Sequence, residues 1–502
     1  MARGGDVTAG PPPDAEHSSV AGRVRSGLAW SLVNNMVLRV GALVSAIVLA
    51  RILSPEDFGV YAIALTVLTL LQSANELGVS LALVQRPGDV REIAPTVMTM
   101  ATATSLGMYA VTFTLAPALC GWMNAPDAVG VVRLMCFAVV LDGIAMTPWG
   151  VLNRFFLQKR LFVGEAVMFV STTAVTIGLA LAGTGAYAFA WGTVVGHACL
   201  ATSHLCLAPV RVWPGWDRRV VRPLLSFGLP LAGASLLALS VINVDNIVVG
   251  SVLGQTMLGY YLLAVRQSNW LLLFSDAARR VALAGFSRLV DDRELLSRAF
   301  ERGLALLMAA TIPAAVLLAA YAGPLVRFLY GERWDLAAQA LPLLAAFGVV
   351  RIGLTVAYDL FVALGHSRLL AGLQFLWLLA LGPALAVGAR VDGIRGAAAA
   401  HALVAAIVVT PVFLAVLRRV GVGPGRALAA CLRPALGGMA IGLVAWGVTA
   451  TVEGDLARLL CAGLSVVVVY GPIVWPMRSL LPARSAPGPL ATVPGSPVDS
   501  SA

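Results

Sequence analysis

The sequence predicts an all-α polytopic membrane protein with about 14 transmembrane helices, and three observations predict it: composition, segment length and the placement of charge. Hydrophobic residues make up 59% of the 502 and charged residues only 12%, where a soluble domain carries roughly twice as much charge. Apolar stretches recur at the roughly 20-residue length that crosses a hydrocarbon layer as a helix. The net charge of +10 sits mainly in short connections between those stretches. That distribution is the mark of membrane topology, so no nucleic-acid partner is expected.

The chain opens on a polar, proline-containing segment, residues 1–26, with no apolar core before a cleavage site. It is expected to be a disordered cytoplasmic tail and not a signal peptide. Two apolar helices follow, Gly27 to Leu53 and Phe58 to Val84. Pro55 ends the first and Gly59 lets the second start close by. Four more spans are expected over Pro95 to Leu119, Ala128 to Gly150, Leu161 to Leu181 and Tyr187 to Pro209, which closes an N-lobe of residues 27–209. A basic linker, residues 210–222, leads to a C-lobe of residues 223–417. Its six spans are Pro223 to Gly250, Leu258 to Ser275, Gly303 to Tyr321, Ala337 to Leu364, Leu369 to Gly388 and Ile394 to Leu417. Residues 418–481 hold two further spans, Ala427 to Ala450 and Leu456 to Met477, and residues 482–502 form a second disordered tail rich in Pro, Ser and Ala.

With the N-terminus cytoplasmic, the connections on its side collect most of the arginines. They include Arg154 and Arg160, the linker arginines Arg211, Arg218, Arg219 and Arg222, and the long loop Asp276 to Arg302. The positive-inside rule therefore places both termini in the cytoplasm. The halves also repeat. Ile52 to Ala64 lies over Val252 to Ala264 without a gap, with Leu, Gly, Tyr and Ala matching in place. Two lobes in the same orientation, with a site between them, are what such a repeat implies.

Particular stretches resemble a known family. Ala50-Arg51-Ile52-Leu53-Ser54-Pro55-Glu56-Asp57-Phe58-Gly59, Glu76-Leu77-Gly78 and Ala82-Leu83-Val84-Gln85-Arg86 resemble the opening signature of bacterial polysaccharide flippases of the Wzx type. So do Asp245 to Gly250, Leu258-Gly259-Tyr260-Tyr261, Phe286-Ser287-Arg288-Leu289 and Leu329 to Trp334. The resemblance covers about Ser26 to Leu417, and departs in placing Glu76 where Asp is the commoner residue. It implies the fold shared by the multidrug exporters called MATE and the lipid II flippase. It also implies residence in the bacterial cytoplasmic membrane and alternating access for an undecaprenyl-diphosphate-linked oligosaccharide, alongside a polysaccharide polymerase and glycosyltransferases. Membrane lipids are the other partners, and no cofactor is expected. The driving force, whether proton, sodium ion or membrane potential, stays open.

Charged residues within spans are expensive and must face protein or water. Arg39, Arg266 and Arg351 are expected to bind substrate, because a guanidinium grips phosphate oxygens in a bidentate way that lysine cannot. Glu76, Asp142, Asp245 and Asp359 are expected to couple or gate. The alternative is that these charges pair with one another, for example Arg39 with Asp142, and only hold helices together. His197 with Cys199 and His204 with Cys206 repeat seven residues apart, but a helix separates the pairs by about 10 Å, so no metal site is expected there and the groups read as packing. No nucleotide loop, zinc-protease motif or nucleophile elbow is present, and no catalytic residue is expected. Two other functions fit the pattern less well. A cation-coupled drug exporter of the same fold would favour acidic groups over mid-span arginines, and an enzyme of polysaccharide assembly would carry a large external loop.

Overall fold

The computed structural model describes residues 39–75, 90–219, 221, 243–273, 286, 289 and 292–480. The described residues are predominantly helical, with no strand among them. In chain order the N-lobe contains α1 (39–52), α2 (Pro55–Asn75), α3 (Val90–Trp122), α4 (Val129–Cys136), α5 (Ala138–Arg154), α6 (Gln158–Leu181) and α7 (Tyr187–Leu207). The C-lobe contains α8 (Asn243–Leu253), α9 (Gln255–Ser268), α10 (Arg293–Ala320), α11 (Ala322–Tyr330), α12 (Asp335–Ala363), α13 (Ser367–Leu403) and α14 (Thr410–Arg419). Two further helices, α15 (Pro424–Thr451) and α16 (Asp455–Ser465), follow. Nine helical stretches among the described residues are long and apolar enough to cross a membrane, and one of them, Arg368–Arg419, holds two expected spans. This is a multi-pass membrane protein. Both tails, Glu76 with the end of the second expected span, residues 220 and 222 of the basic linker, most of the expected span Pro223 to Gly250 and most of the loop before Asp292 lie outside the described residues.

The opening hairpin turns where the sequence places the turn, and the cause is local. Ser54 caps α2 with Pro55 in the first helical position. The Asp57 carboxylate accepts from Ser54 N at 2.9 Å and from Ser54 Oγ at 2.7 Å, while Asp57 N donates back to Ser54 Oγ at 3.2 Å. In the second half the turn between α8 and α9 is made by Gly254 at φ 80°, a conformation that Cβ-bearing residues resist. The eleventh and twelfth expected spans are two helical arms joined by a sharp turn at Asp392 and Gly393, where the backbone leaves helical geometry. Gly388 and Gly396 let the two arms touch backbone to backbone, since a Cβ on either would lie within 2.3 Å of the other's carbonyl oxygen.

One expected boundary is corrected. Residues 293–302 belong to α10 and not to a loop ending at Arg302. Asp292 caps the helix by accepting from the backbone nitrogens of Glu294 and Leu295 at 3.0 Å each, and Glu294–Arg298 and Ser297–Glu301 pair along its polar face. The helix thus runs beyond its apolar stretch on polar side chains, which hydropathy alone does not register.

Burial separates the spans. In Glu332–Ala363, 56% of the most apolar window is buried, against 17% in Gln158–Leu181 and in Asp455–Leu480. The first faces other helices and the latter two chiefly lipid. α2 packs on α9 across the lobes, α9 on α12 within the C-lobe, and α15 on α10, which attaches the last two helices to the C-lobe.

Candidate functional site

The two lobes meet at the end that carries the turns at Ser54, Gly254 and Gly331. A Cβ on Gly59 would lie 1.8 Å from the Gln255 carbonyl oxygen, so the starts of α2 and α9 touch through bare backbone. Polar bonds surround this contact. Arg51 donates to the carbonyls of Phe328 at 2.6 Å and Leu329 at 2.8 Å, Arg333 donates to the carbonyl of Arg51, and Trp334 Nε1 donates to that of Ala50 at 2.8 Å. Gln255 donates to Glu56 at 2.8 Å, and Asn124 to the Ser251 carbonyl at 2.9 Å. Beneath them Trp334 and Phe58, both fully buried, pack edge to face at 5.0 Å, and Phe58 meets Phe189 at 5.2 Å. This end is closed.

Behind the closed end lie charged groups. Arg266 on α9 donates to the Tyr61 hydroxyl at 3.1 Å, across the lobe boundary, with its guanidinium 5.2 Å from the centre of that ring. Tyr61 itself stacks on Phe189 at 4.1 Å. On α12, Arg351 sits 6.0 Å from the Phe347 ring and within electrostatic reach of Asp245. The two arginines therefore stand on α9 and α12, helices that pack together. Arg39 is exposed on α1, Asp359 is buried in α12, and Glu76 lies outside the described residues. Arg133, another charge within a span, donates to the Phe113 carbonyl at 3.0 Å and lies over that ring at 4.2 Å.

The acids find partners that the sequence reading missed. Asp142 on α5 accepts from the Gln72 amide and lies 3.5 Å from His197 Nε2 on α7. His197 had been expected only to fill space. Its Nδ1 lies 2.8 Å from the Thr193 carbonyl and so carries the hydrogen, which leaves Nε2 facing Gln72 at 3.3 Å. In the C-lobe, Asp245 Oδ2 accepts from the Tyr261 hydroxyl at 3.3 Å and lies 3.6 Å from His401 Nε2. A second repeat carried the signal for both histidines: Gly192 to Ala201 lies over Gly396 to Ala405 without a gap, matching Gly, His197 on His401, and two alanines. Among the described residues no group of three or more His, Cys, Asp or Glu is placed to hold a metal ion.

Comparison with known proteins agrees with this architecture. The chain is 25% identical over 344 residues to the lipopolysaccharide biosynthesis protein WzxC of Escherichia coli K12, covering 65% of this chain and 67% of that protein. It is 26% identical over 332 residues to the succinoglycan biosynthesis transport protein ExoT of Rhizobium meliloti 1021, covering 64% and 65%. Among solved structures, the lipid II flippase MurJ in an inward closed conformation superposes with a TM-score of 0.72 at 14% identity, covering 89% of this chain and 99% of that one. An inward-facing MATE multidrug transporter of the MOP superfamily superposes with a TM-score of 0.61 at 17% identity, covering 76% and 95%. The fold is thus the one these transporters share. A family model described as polysaccharide biosynthesis protein matches residues 48–339, more than half of the chain and all of the interlobe closure up to Trp334, and the chain belongs to that family.

Proposed function

We propose that this chain flips a lipid-linked oligosaccharide, carried on undecaprenyl diphosphate, across the bacterial cytoplasmic membrane by alternating access, for surface polysaccharide biosynthesis. The observation that carries the reading is a charged group at the lobe boundary behind a closed end, Arg266 bonded to Tyr61, in a chain of the polysaccharide biosynthesis family. The positive-inside rule puts both termini in the cytoplasm and the closed end outside, so the lobes part towards the cytoplasm, where the loaded carrier is made. Arg39, Arg266 and Arg351 are assigned to the diphosphate, the part common to all such cargoes. Asp142, Asp245, Asp359 and Glu76 are assigned to coupling or gating. The polysaccharide polymerase and glycosyltransferases are its functional neighbours.

Deleting the gene in its source should abolish the surface polysaccharide and leave lipid-linked oligosaccharide on the inner leaflet, and the intact gene should restore export. Normal polysaccharide in the deletion, with raised sensitivity to cationic drugs, would instead identify a multidrug exporter, a reading that the MATE-like fold supports.

A further inference from the structure

Among the described residues three histidines are buried in the lobes, His197, His204 and His401. Two of them sit against a carboxylate, at 3.5 Å for His197 with Asp142 and 3.6 Å for His401 with Asp245. His204 packs against Gly164 and near the Ala145 carbonyl, with no carboxylate in ion-pair reach among the described residues. The two paired histidines occupy matching positions of the second repeat, in the last hairpin helix of each lobe, while their acids come from different helices, α5 and α8. A shared packing motif would be expected to repeat acid and base together. Here only the imidazole repeats, and each lobe has met it with a carboxylate of its own.

The surroundings are built for two protonation states. In the N-lobe, Nδ1 of His197 is committed to the Thr193 carbonyl, so a proton can arrive or leave only at Nε2. The Gln72 amide nitrogen faces that atom and the carboxylate together, donating to both while the imidazole is neutral. On protonation Nε2–H turns to Asp142, and a rotated Gln72 presents its oxygen instead. In the C-lobe, neither nitrogen of His401 has a hydrogen-bond partner among the described residues, and its ring lies 4.8 Å from that of Phe347. Asp245 is held there by Tyr261 and by the backbone nitrogen of Asn246 at 2.8 Å, and Arg351, one turn on from Phe347, is the further charge within electrostatic reach of it among the described residues. A protonated His401 shares Asp245 with Arg351, and a neutral one leaves the carboxylate to Arg351 alone.

We propose that His197 and His401 are proton-binding groups, one in each lobe, each taking up a single proton at Nε2 with Asp142 or Asp245 as its counter-charge. Histidine is the side chain whose charge change ordinarily falls between about pH 5 and 8. The proton is then the coupling ion of the transport cycle; that part rests on the proposed function, whereas proton binding itself does not.

The test uses the purified full chain in nanodiscs without cargo, monodisperse by gel filtration. With five histidines in the sequence, nuclear magnetic resonance of histidine-labelled protein resolves each ring. The His197 and His401 rings should move from neutral to cationic between about pH 8 and 5. Proton uptake over the same range should fall by one per protein in H197Q and in H401Q, by two in the double variant, and not at all in H204Q. D142N and D245N should each abolish the uptake of the histidine in that lobe. Rings of His197 and His401 that stay neutral to pH 5 in the unsubstituted protein, or uptake unchanged in the double variant, would overturn the proposal. In cells, the well-inserted double variant should lose polysaccharide export. If its deletion background already exports normally, the transport reading fails while the proton count stands.

Discussion

Gly59 and Gly259 make reciprocal contacts: each packs against the backbone of the other's helix start, Gly59 on the Gln255 carbonyl and Gly259 on the Pro55 carbonyl, and a Cβ on either would lie 1.8 Å from that oxygen. The gapless register that lays Ile52–Ala64 over Val252–Ala264 also lays Pro55 on Gln255 and Gly59 on Gly259. The repeated segment is therefore a surface that meets its own copy about a local two-fold axis. Symmetry of this kind makes the two contacts form and break together.

Replacing either glycine by Val should hold this end open. The nearest atoms are backbone, which cannot swing aside, and overpacking of this sort costs about 1–3 kcal/mol, roughly a five- to 150-fold shift between states. Tyr61, about half a turn further along α2, should then become reachable. A cysteine at Tyr61 should label slowly with an impermeant thiol reagent in otherwise native protein, and about fivefold or more faster in G59V or G259V, with export reduced at normal insertion. Equal labelling in both backgrounds would mean that the glycines pack without gating.

Arg266 and Arg351 should respond differently to substitution, because their neighbours differ. Arg266 makes a cross-lobe bond to Tyr61 in addition to any contact with an anion, so R266Q removes both. Losing one charge-assisted bond of about 1.5–3 kcal/mol lowers affinity roughly tenfold or more, and R266K should keep more export than R266Q. Y61F should lose only the share due to the bond. R351Q leaves Asp245 without one of its facing charges. Adding D245N to R351Q should therefore restore insertion without restoring export. Insertion that never falls in R351Q would show that Asp245 is balanced without it.

Much of the fold was legible in the sequence because bilayer thickness fixes helix length and the turns used residues of distinct chemistry, such as Ser54-Pro55 and Gly254. The start of α10 was not legible in this way, since Asp292 and the polar turns after it look like loop to any hydropathy reading. The candidate site was legible only in part. Single charges such as Asp142, Asp245 and Arg266 stand out in apolar helices, but the partners Tyr61, His197 and His401 are residues that interiors commonly hold, and their meaning comes from what folding places 3 to 4 Å away.

At the start of α16, Arg327 grips Asp455 with two bonds of 3.2 Å and reaches Asp335 at 3.6 Å, joining the last helix pair to the C-lobe. All three side chains are partly exposed, 33% for Arg327 and 29% for Asp455, which limits such a pair to about 1 kcal/mol at most. The prediction is that R327Q and D455N each lower thermal stability slightly, with a coupling below about 1 kcal/mol in the double-mutant cycle. Tyr470, whose hydroxyl donates to the Ala309 carbonyl at 2.7 Å and whose ring fills the space over Gly437, should matter more. Y470A removes a buried ring, at about 3–5 kcal/mol for large aromatic truncations. If R327Q proved the more damaging of the two, attachment of these helices would be electrostatic and not a matter of packing.

Orientation can be decided with two single cysteines in a background lacking the native six. Gly254 lies in the tight turn at the closed end, in open space where an added side chain meets nothing within 4 Å. Glu294 lies in the first turn of α10, exposed, among the arginines that the positive-inside rule assigns to the cytoplasm. On intact cells with the outer surface accessible, an impermeant maleimide should label a cysteine at Gly254 and leave one at Glu294 untouched until the membrane is permeabilised. Because Gly254 sits at φ 80°, where a Cβ is strained, Thr256 in the first turn of α9 and likewise exposed serves as a second reporter from the same end. Labelling of Glu294 with protection of both Gly254 and Thr256 would invert the protein. The closed end would then face the cytoplasm, and the lobes would part towards the outside, the wrong side to receive a carrier loaded within the cell.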